Sequence, residues 1–213
     1  MTNAPEIVFG ITGSIGAYKA CDIVRLLKDA GYAVTCVLTH RAAKFITPVT
    51  LQALSERKVH TDLFEMDSPQ IVHTTLADHA KLVLIAPATA NIIGKYANGI
   101  ADDLISCILL ATRAKVLFAP AMNVHMWQHP SVQRNVTTIK RLGARVVGPD
   151  VGKLACGYEA IGHLSEPEDV LQAVKQLVPV SAGQNQNPVA ARPAVRSAAR
   201  KPSRPSRPAR RRR

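Results

Sequence analysis

Residues 71–104 read IVHTTLADHAKLVLIAPATANIIGKYANGIADDL, and this stretch decides the fold. Its apolar run, Leu82-Val83-Leu84-Ile85-Ala86, does not alternate with polar residues, so it predicts a parallel strand buried on both faces. His73 stands just before a short helical segment, Thr74 to Ala80. On its other side the strand runs into Pro87-Ala88-Thr89-Ala90-Asn91, small and polar residues, and then into a helix. A turn where a strand ends and a helix begins is where open α/β sheets bind ligands. Thr89 and Asn91 offer a hydroxyl and an amide there, and the free N–H groups of the helix's first turn suit an anion.

On the N-terminal side, Glu6 to Thr12 (EIVFGIT) reads as a first strand, broken by Gly13-Ser14-Ile15-Gly16. A helix follows to about Asp29, with Gly31 as its stop, and Ala33 to Leu38 is the second strand. The glycines at 10, 13 and 16 do not make the GxGxxG fingerprint. The second strand ends in Thr39-His40-Arg41, where an NAD site would place an acid for the ribose hydroxyls. NAD is therefore disfavoured, while a phosphate still fits: Gly13 permits close backbone approach and Ser14 adds a hydroxyl. Arg41 to Ile46 and Pro48 to Leu54 read as short helices, and Val59 to Phe64 as an extended segment.

On the C-terminal side, a helix from about Ile100 to Thr112 opens on Asp102 and Asp103, acids that answer the helix dipole. Lys115 to Ala119 is another buried strand, ending in Pro120-Ala121-Met122-Asn123-Val124-His125-Met126-Trp127. Pro130 to Leu142 reads as a helix and Ala144 to Val147 as a strand. Asp150 to Ser165 (DVGKLACGYEAIGHLS) reads as a long glycine-bearing segment without structure of its own, the mark of a flap or lid. The last helix, Glu166 to Val178, has Ser165 as its cap and Pro167 at its first position. Strands alternating with helices give a single α/β domain, a doubly wound parallel sheet of the flavodoxin or Rossmann kind in three layers. Cys21, Cys36 and Cys107 fall within these elements as small core residues. His125 and His129 are four apart, but no third ligand accompanies them and no metal is expected.

The net charge of +12 on 213 residues divides unevenly. Residues 181–213 hold nine Arg, one Lys and no acid, or +10, leaving 17 basic against 15 acidic residues elsewhere, or +2. The expectation is a folded domain over 1–179 and a disordered basic tail over 180–213, with weak, salt-sensitive affinity for polyanions. No aromatic residue is interleaved there for base stacking. No apolar run reaches the roughly 20 residues of a membrane span, no secretory signal opens the chain, and the cysteines form no CxxC pair. The chain reads as a cytoplasmic protein with no membrane contact.

Taken in order, TGSIGA (12–17), His73, PATAN (87–91), PAMNVHMW (120–127) and Ala155-Cys156-Gly157 resemble the flavin-dependent cysteine decarboxylases. Within them the phosphopantothenoylcysteine decarboxylases of coenzyme A biosynthesis are the most similar, over roughly residues 5–178. The resemblance implies FMN beside Gly13, Ser14, Ile15, Thr39, Thr89, Ala90, Asn91 and Ala121. It implies His73 as the catalytic histidine, Asn123 as the holder of the substrate carboxylate and Cys156 as the proton donor on the flap. Lys153, Leu154 and Ala155 match the part of the flap that closes on substrate. Where many relatives continue with an arginine, this chain reads Gly162-His163-Leu164.

The implied chemistry is oxidation of the substrate's cysteine side chain to a thioaldehyde, loss of CO₂ to an enethiol, and reduction to 4′-phosphopantetheine with a proton from Cys156. A homotrimer or higher homo-oligomer is implied, as is a separate phosphopantothenoylcysteine synthetase for the preceding step. Related alternatives are a flavin prenyltransferase, a peptidyl-cysteine decarboxylase and a non-catalytic flavin-binding regulatory subunit. The Cys156 flap and the PAMN turn favour the pantothenate pathway over the first two, and intact His73, Asn123 and Cys156 argue against the third.

Overall fold

The computed structural model describes residues 4–64, 71–153, 157 and 159–180. Five short segments make one parallel sheet: β1 (Glu6–Ile11), β2 (Ala33–Leu38), β3 (Leu82–Ala88), β4 (Lys115–Pro120) and β5 (Arg145–Val146). All seven residues of β3 are buried, which is why its sequence does not alternate: helices cover both faces of the sheet. On one face lie α1 (Ala20–Asp29), α2 (Pro48–Ser55) and α8 (Pro167–Leu177), over a core containing Phe9, Ile11, Leu38 and Leu84. On the other lie α3 (Val72–His79), α4 (Ala90–Ala97), α5 (Leu104–Ala111) and α7 (Pro130–Arg141), over Val8, Val83, Ile85 and Phe118.

The strand order is β2-β1-β3-β4-β5. From β1 the chain moves outward to β2, then returns to build β3 on the other side. The order reverses between β1 and β3, and the crevice at their carboxyl ends is the ligand position of doubly wound sheets. α3 runs back against the strands, since Lys81 after it donates its N–H to Glu6 at the start of β1, 2.8 Å away. Its first turn therefore lies at the carboxyl edge, beside the crevice end of the sheet.

Several elements differ from the sequence expectations. His73 does not precede its helix but sits inside the first turn of α3. The first helix begins as a 3-10 segment, Ile15–Lys19, and becomes α-helical only at Ala20. The expected helix over 41–46 is a 3-10 turn, Ala42–Lys44, and the extended segment after it makes one bridge, Val37 to His60. The helix expected from Ile100 begins at Leu104, because Asp103 caps it: its side chain accepts the Ser106 N–H at 2.8 Å, and Ser106 Oγ accepts the Asp103 N–H at 3.0 Å.

The flap is not structureless. It contains an antiparallel hairpin, β6 (Asp150–Lys153) with β7 (Glu159–His163), so the molecule carries a two-stranded sheet besides the parallel one. Nor does Ser165 cap the last helix. Glu166 holds the cap position, and Ser165 Oγ is buried against Gly148 without a hydrogen-bond partner among the described residues. Among the described residues no helix is long and apolar enough to cross a membrane. The basic tail, 181–213, lies outside the described residues.

Candidate active site

The loop after β1 and the end of β3 are joined through one buried hydroxyl. Thr12 is 2% exposed. Its Oγ1 donates to the Pro87 carbonyl at 2.6 Å and accepts the Thr89 N–H at 3.1 Å, with Thr89 Oγ1 3.2 Å away. Gly13, next along, lies against Arg41 after β2: a Cβ there would stand 2.6 Å from Arg41 Cβ. Only glycine lets the two loops approach this closely. Thr39 completes the junction, donating its N–H to the Ile11 carbonyl at 3.1 Å and accepting the Ala42 N–H on its hydroxyl at 3.1 Å. Gly13, Ser14, Thr39 and Thr89 are thus brought to one place. Thr89 heads α4 without a side-chain cap bond, and the N–H groups of Ala90 and Asn91, in the helix's first turn, have no intrahelical partner.

The loop after β4 joins the same edge. Ala121 is buried and donates its N–H to the Ala88 carbonyl at 3.1 Å. Asn123 caps α6 (Val124–Gln128), its Oδ1 accepting the His125 N–H at 2.8 Å, which fixes the orientation of the amide. The flap stands on this loop: the Met122 N–H donates to the Gly162 carbonyl at 3.0 Å. Gly162 has φ +136, and a Cβ there would strike the Met122 carbonyl oxygen. Beyond the hairpin, Leu164 packs on Gly16, where an added Cβ would be 3.3 Å from Leu164 Cβ and 3.7 Å from Ala121 Cβ.

His73 is half-buried, and its Nδ1 is sealed from solvent with no hydrogen-bond partner among the described residues. Lys153 ends β6, so the flap residue expected near substrate is on the hairpin. Leu154, Ala155 and Cys156 lie outside the described residues. Ile15 is 59% exposed and Asn91 is exposed at the rim. His125 and His129 are exposed, and His129 Nδ1 accepts the Ser131 N–H at 3.2 Å as the cap of α7.

The acids read as answering a helix dipole have a second task. Lys95 Nζ lies 2.5 Å from Asp102 Oδ1 and 2.6 Å from Asp103 Oδ2, pinning the end of α4 to the start of α5. Burial pushes the Asp103 carboxyl up, but hydrogen bonds from Lys95 and Ser106 outweigh it and hold the group below its usual range. A cleft of about 230 Å³ opens between this junction and the end of β2, with Thr39, His40, Phe64 and Leu104 on its walls. Sequence reasoning assigned no role to Thr12, Arg41 or Gly162, although Thr12 opens the TGSIGA motif, Arg41 follows Thr39-His40 and Gly162 is one of the flap's glycines.

A family model described as Flavoprotein matches residues 1–179. The coenzyme A biosynthesis bifunctional protein CoaBC of Bacillus subtilis is 44% identical over 177 residues, which are 83% of this chain and 44% of that protein. The chain thus spans less than half the length of this curated relative. A probable phosphopantothenoylcysteine decarboxylase of Streptococcus mutans is 37% identical over 174 residues, 80% of this chain and 97% of that protein. Among solved structures, a cysteine-to-serine mutant of a PPC decarboxylase complexed with pantothenoylaminoethenethiol is similar at TM-score 0.74. It is 26% identical and covers 82% of this chain and 98% of its own. The FMN-dependent cysteine decarboxylase SpaF is similar at TM-score 0.70, with 29% identity, over 83% of this chain and 98% of that one.

Proposed function

The chain belongs to the flavoprotein family, and on that premise we propose that it is an FMN-dependent decarboxylase converting 4′-phosphopantothenoylcysteine to 4′-phosphopantetheine. The observation that carries the reading is the convergence of the motif-bearing loops on the β1/β3 crevice, joined through Thr12 and through Met122–Gly162. The residues present fit an FMN. Gly13 lets the loop after β2 close on the loop after β1, the first turn of α4 offers N–H groups, and the Nδ1 of His73 is a buried polar atom without a hydrogen-bond partner among the described residues. When bound, FMN supplies the two-electron oxidation and its return, which makes the overall conversion redox neutral.

The chain's own residues orient and move protons. Ser14 and the amides of Ala90 and Asn91 hold the phosphate, with Thr39, Thr89, Ile15 and Ala121 around the rest of the cofactor. Asn123, oriented by the helix cap its Oδ1 makes, holds the substrate carboxylate. His73 handles the proton of the substrate thiol in the early steps. Lys153, Leu154 and Ala155 close over substrate, and Cys156 gives the last proton to the enethiol.

Ile15 and Tyr18, 59% and 58% exposed beside the cofactor turn, support a homotrimer or larger homo-oligomer with the site at its boundaries. Residues 1–179 form the catalytic domain and 180–213 a basic extension. The reading further includes a cytoplasmic location and a synthetase partner that supplies the substrate.

A single-turnover comparison tests this function. Protein loaded with FMN is expected to release CO₂ and form a product of the mass of 4′-phosphopantetheine. His73→Asn is expected to release little CO₂. Cys156→Ser is expected to release CO₂ but accumulate the enethiol, because a serine hydroxyl is a far weaker acid than a thiol of pKa about 8.5. The PPC decarboxylase solved with pantothenoylaminoethenethiol carries a serine in place of a cysteine, which supports this expectation. Wild-type protein that binds FMN but releases no CO₂ sinks the decarboxylase reading. Unmodified product formation by Cys156→Ser removes that cysteine from the chemistry.

A further inference from the structure

The cofactor turn and the flap meet at a buried charge. Lys19 closes the 3-10 segment Ile15–Lys19, which starts at the turn assigned to the cofactor phosphate. Its side chain is 8% exposed, and Nζ donates to Glu166 Oε1 at 2.8 Å and to the Leu164 carbonyl at 3.4 Å. Leu164 directly follows β7, the second strand of the flap, and Glu166, two residues on, caps α8. The Glu166 side chain remains 59% exposed, so the lysine alone gives up its hydration to make this contact. An ammonium leaves water at a cost that only well-placed acceptors offset. Leu164 is also the residue that packs on Gly16, within the same 3-10 segment.

The hairpin is therefore anchored on two sides. Gly162 fixes it to the loop after β4, which carries Asn123. Lys19 fixes the chain just beyond it to the segment that follows Gly13-Ser14. We propose that Lys19 is a positioning residue whose ammonium ties the foot of the hairpin to the cofactor turn, so that the hairpin is seated on the cofactor-holding segment. The proposal rests on the decarboxylase reading above. With the tie cut, the flap foot samples positions in which the hairpin is not seated. Apparent substrate affinity then falls by the fraction of time the seated state is lost, while chemistry in the seated state is unaltered. The signature is a raised KM with a retained kcat.

Lys19→Met keeps the apolar stem and leaves Glu166 hydrated. FMN affinity, followed by quenching of flavin fluorescence, is expected to stay within about threefold of wild type. KM for phosphopantothenoylcysteine is expected to rise about tenfold with kcat within about twofold, as a seated fraction of about one tenth dictates. Amide exchange of the FMN-loaded protein is expected to quicken in Glu159–His163 and not in β1 or β3. Glu166→Gln, which keeps a hydrogen bond without the charge, is expected to shift both readouts the same way by less. The double variant is expected to go no further than Lys19→Met, since both act on one contact.

If Lys19→Met does not fold, Glu166→Gln carries the test alone. Unchanged KM and unchanged exchange in Glu159–His163 overturn the proposal. So does a joint fall of FMN affinity, melting temperature and kcat, which makes Lys19 a support of the fold instead. Exchange needs no substrate, so a wild-type protein inert towards phosphopantothenoylcysteine refutes the decarboxylase reading and still leaves the tie measurable.

Discussion

Thr12 shows how much can hang on one atom. Its Oγ1 serves a carbonyl 75 positions away and an N–H 77 positions away, partners that its place at the head of TGSIGA does not disclose. Thr12→Val keeps the shape but leaves the Pro87 carbonyl and the Thr89 N–H without their partner. We expect a loss of about 1–3 kcal/mol in urea unfolding and a parallel weakening of FMN binding, with Thr12→Ser close to wild type. An unchanged unfolding midpoint for the valine variant would mean that the bonds add nothing. The cysteines behave differently. Cys36 in β2 is fully buried, and burial pushes its thiol up to about 12, so it is inert at neutral pH and serves as a small apolar residue. That role was legible from its place in an apolar run, because burial follows from pattern while a long-range hydrogen bond does not.

Elements add two expectations. Asp103 binds a proton less readily in the folded chain than in the unfolded one, since Lys95 and Ser106 stabilise its charged form. Its contribution is therefore complete above the ordinary Asp value of 3.8 and is lost as pH falls below that through the folded value. Thermal melts are expected to lose stability in that acid range. Asp103→Asn, a good cap without the charge, should lower the melting temperature at pH 7 and flatten the acid limb. Parallel acid limbs for the two proteins would contradict the assignment.

The second expectation concerns the flap's foot. Gly162→Ala meets both a φ of +136 and the Met122 carbonyl, whereas Gly143→Ala meets a φ of +94 in open space. Gly143→Ala is expected to cost about 1–2 kcal/mol and Gly162→Ala more. Equal costs would show that the flap gives way at Met122. The hairpin itself escaped sequence reading because its one β-branched pair, Val151 with Ile161, stands beside Gly152 with Ala160, and a glycine interrupts each strand, so no alternating apolar run marks it. Composition alone made it a loop.

At the scale of the whole chain, charge and fold are separate properties. Residues 181–213 carry +10 while the remainder carries +2. Removing 181–213 is expected to leave decarboxylation nearly unchanged in low salt and to abolish most retention on a polyanion column, since retention scales with the cationic contacts made. Loss of activity with soluble substrate would make the tail part of the catalytic apparatus. Size-exclusion chromatography with light scattering tests the homo-oligomer, a monomeric mass being the result against it.

The sequence by itself determined the strands β1 to β4, the alternation that makes the sheet parallel and the loops at its carboxyl ends. These follow from runs of neighbouring residues, whose burial depends on local pattern and on turn chemistry. Which loops touch was decided only in the tertiary structure. Gly13 against Arg41, Thr12 between Pro87 and Thr89, Gly162 on Met122 and Lys19 on Glu166 each join segments far apart in the chain. His73 lies inside the first turn of α3 and Glu166 holds the cap of the last helix, shifts of one or two positions that local pattern does not fix. A buried hydroxyl, a left-handed glycine or a desolvated ammonium is stable only against a partner in place, and the sequence encodes that partner without saying where it will be.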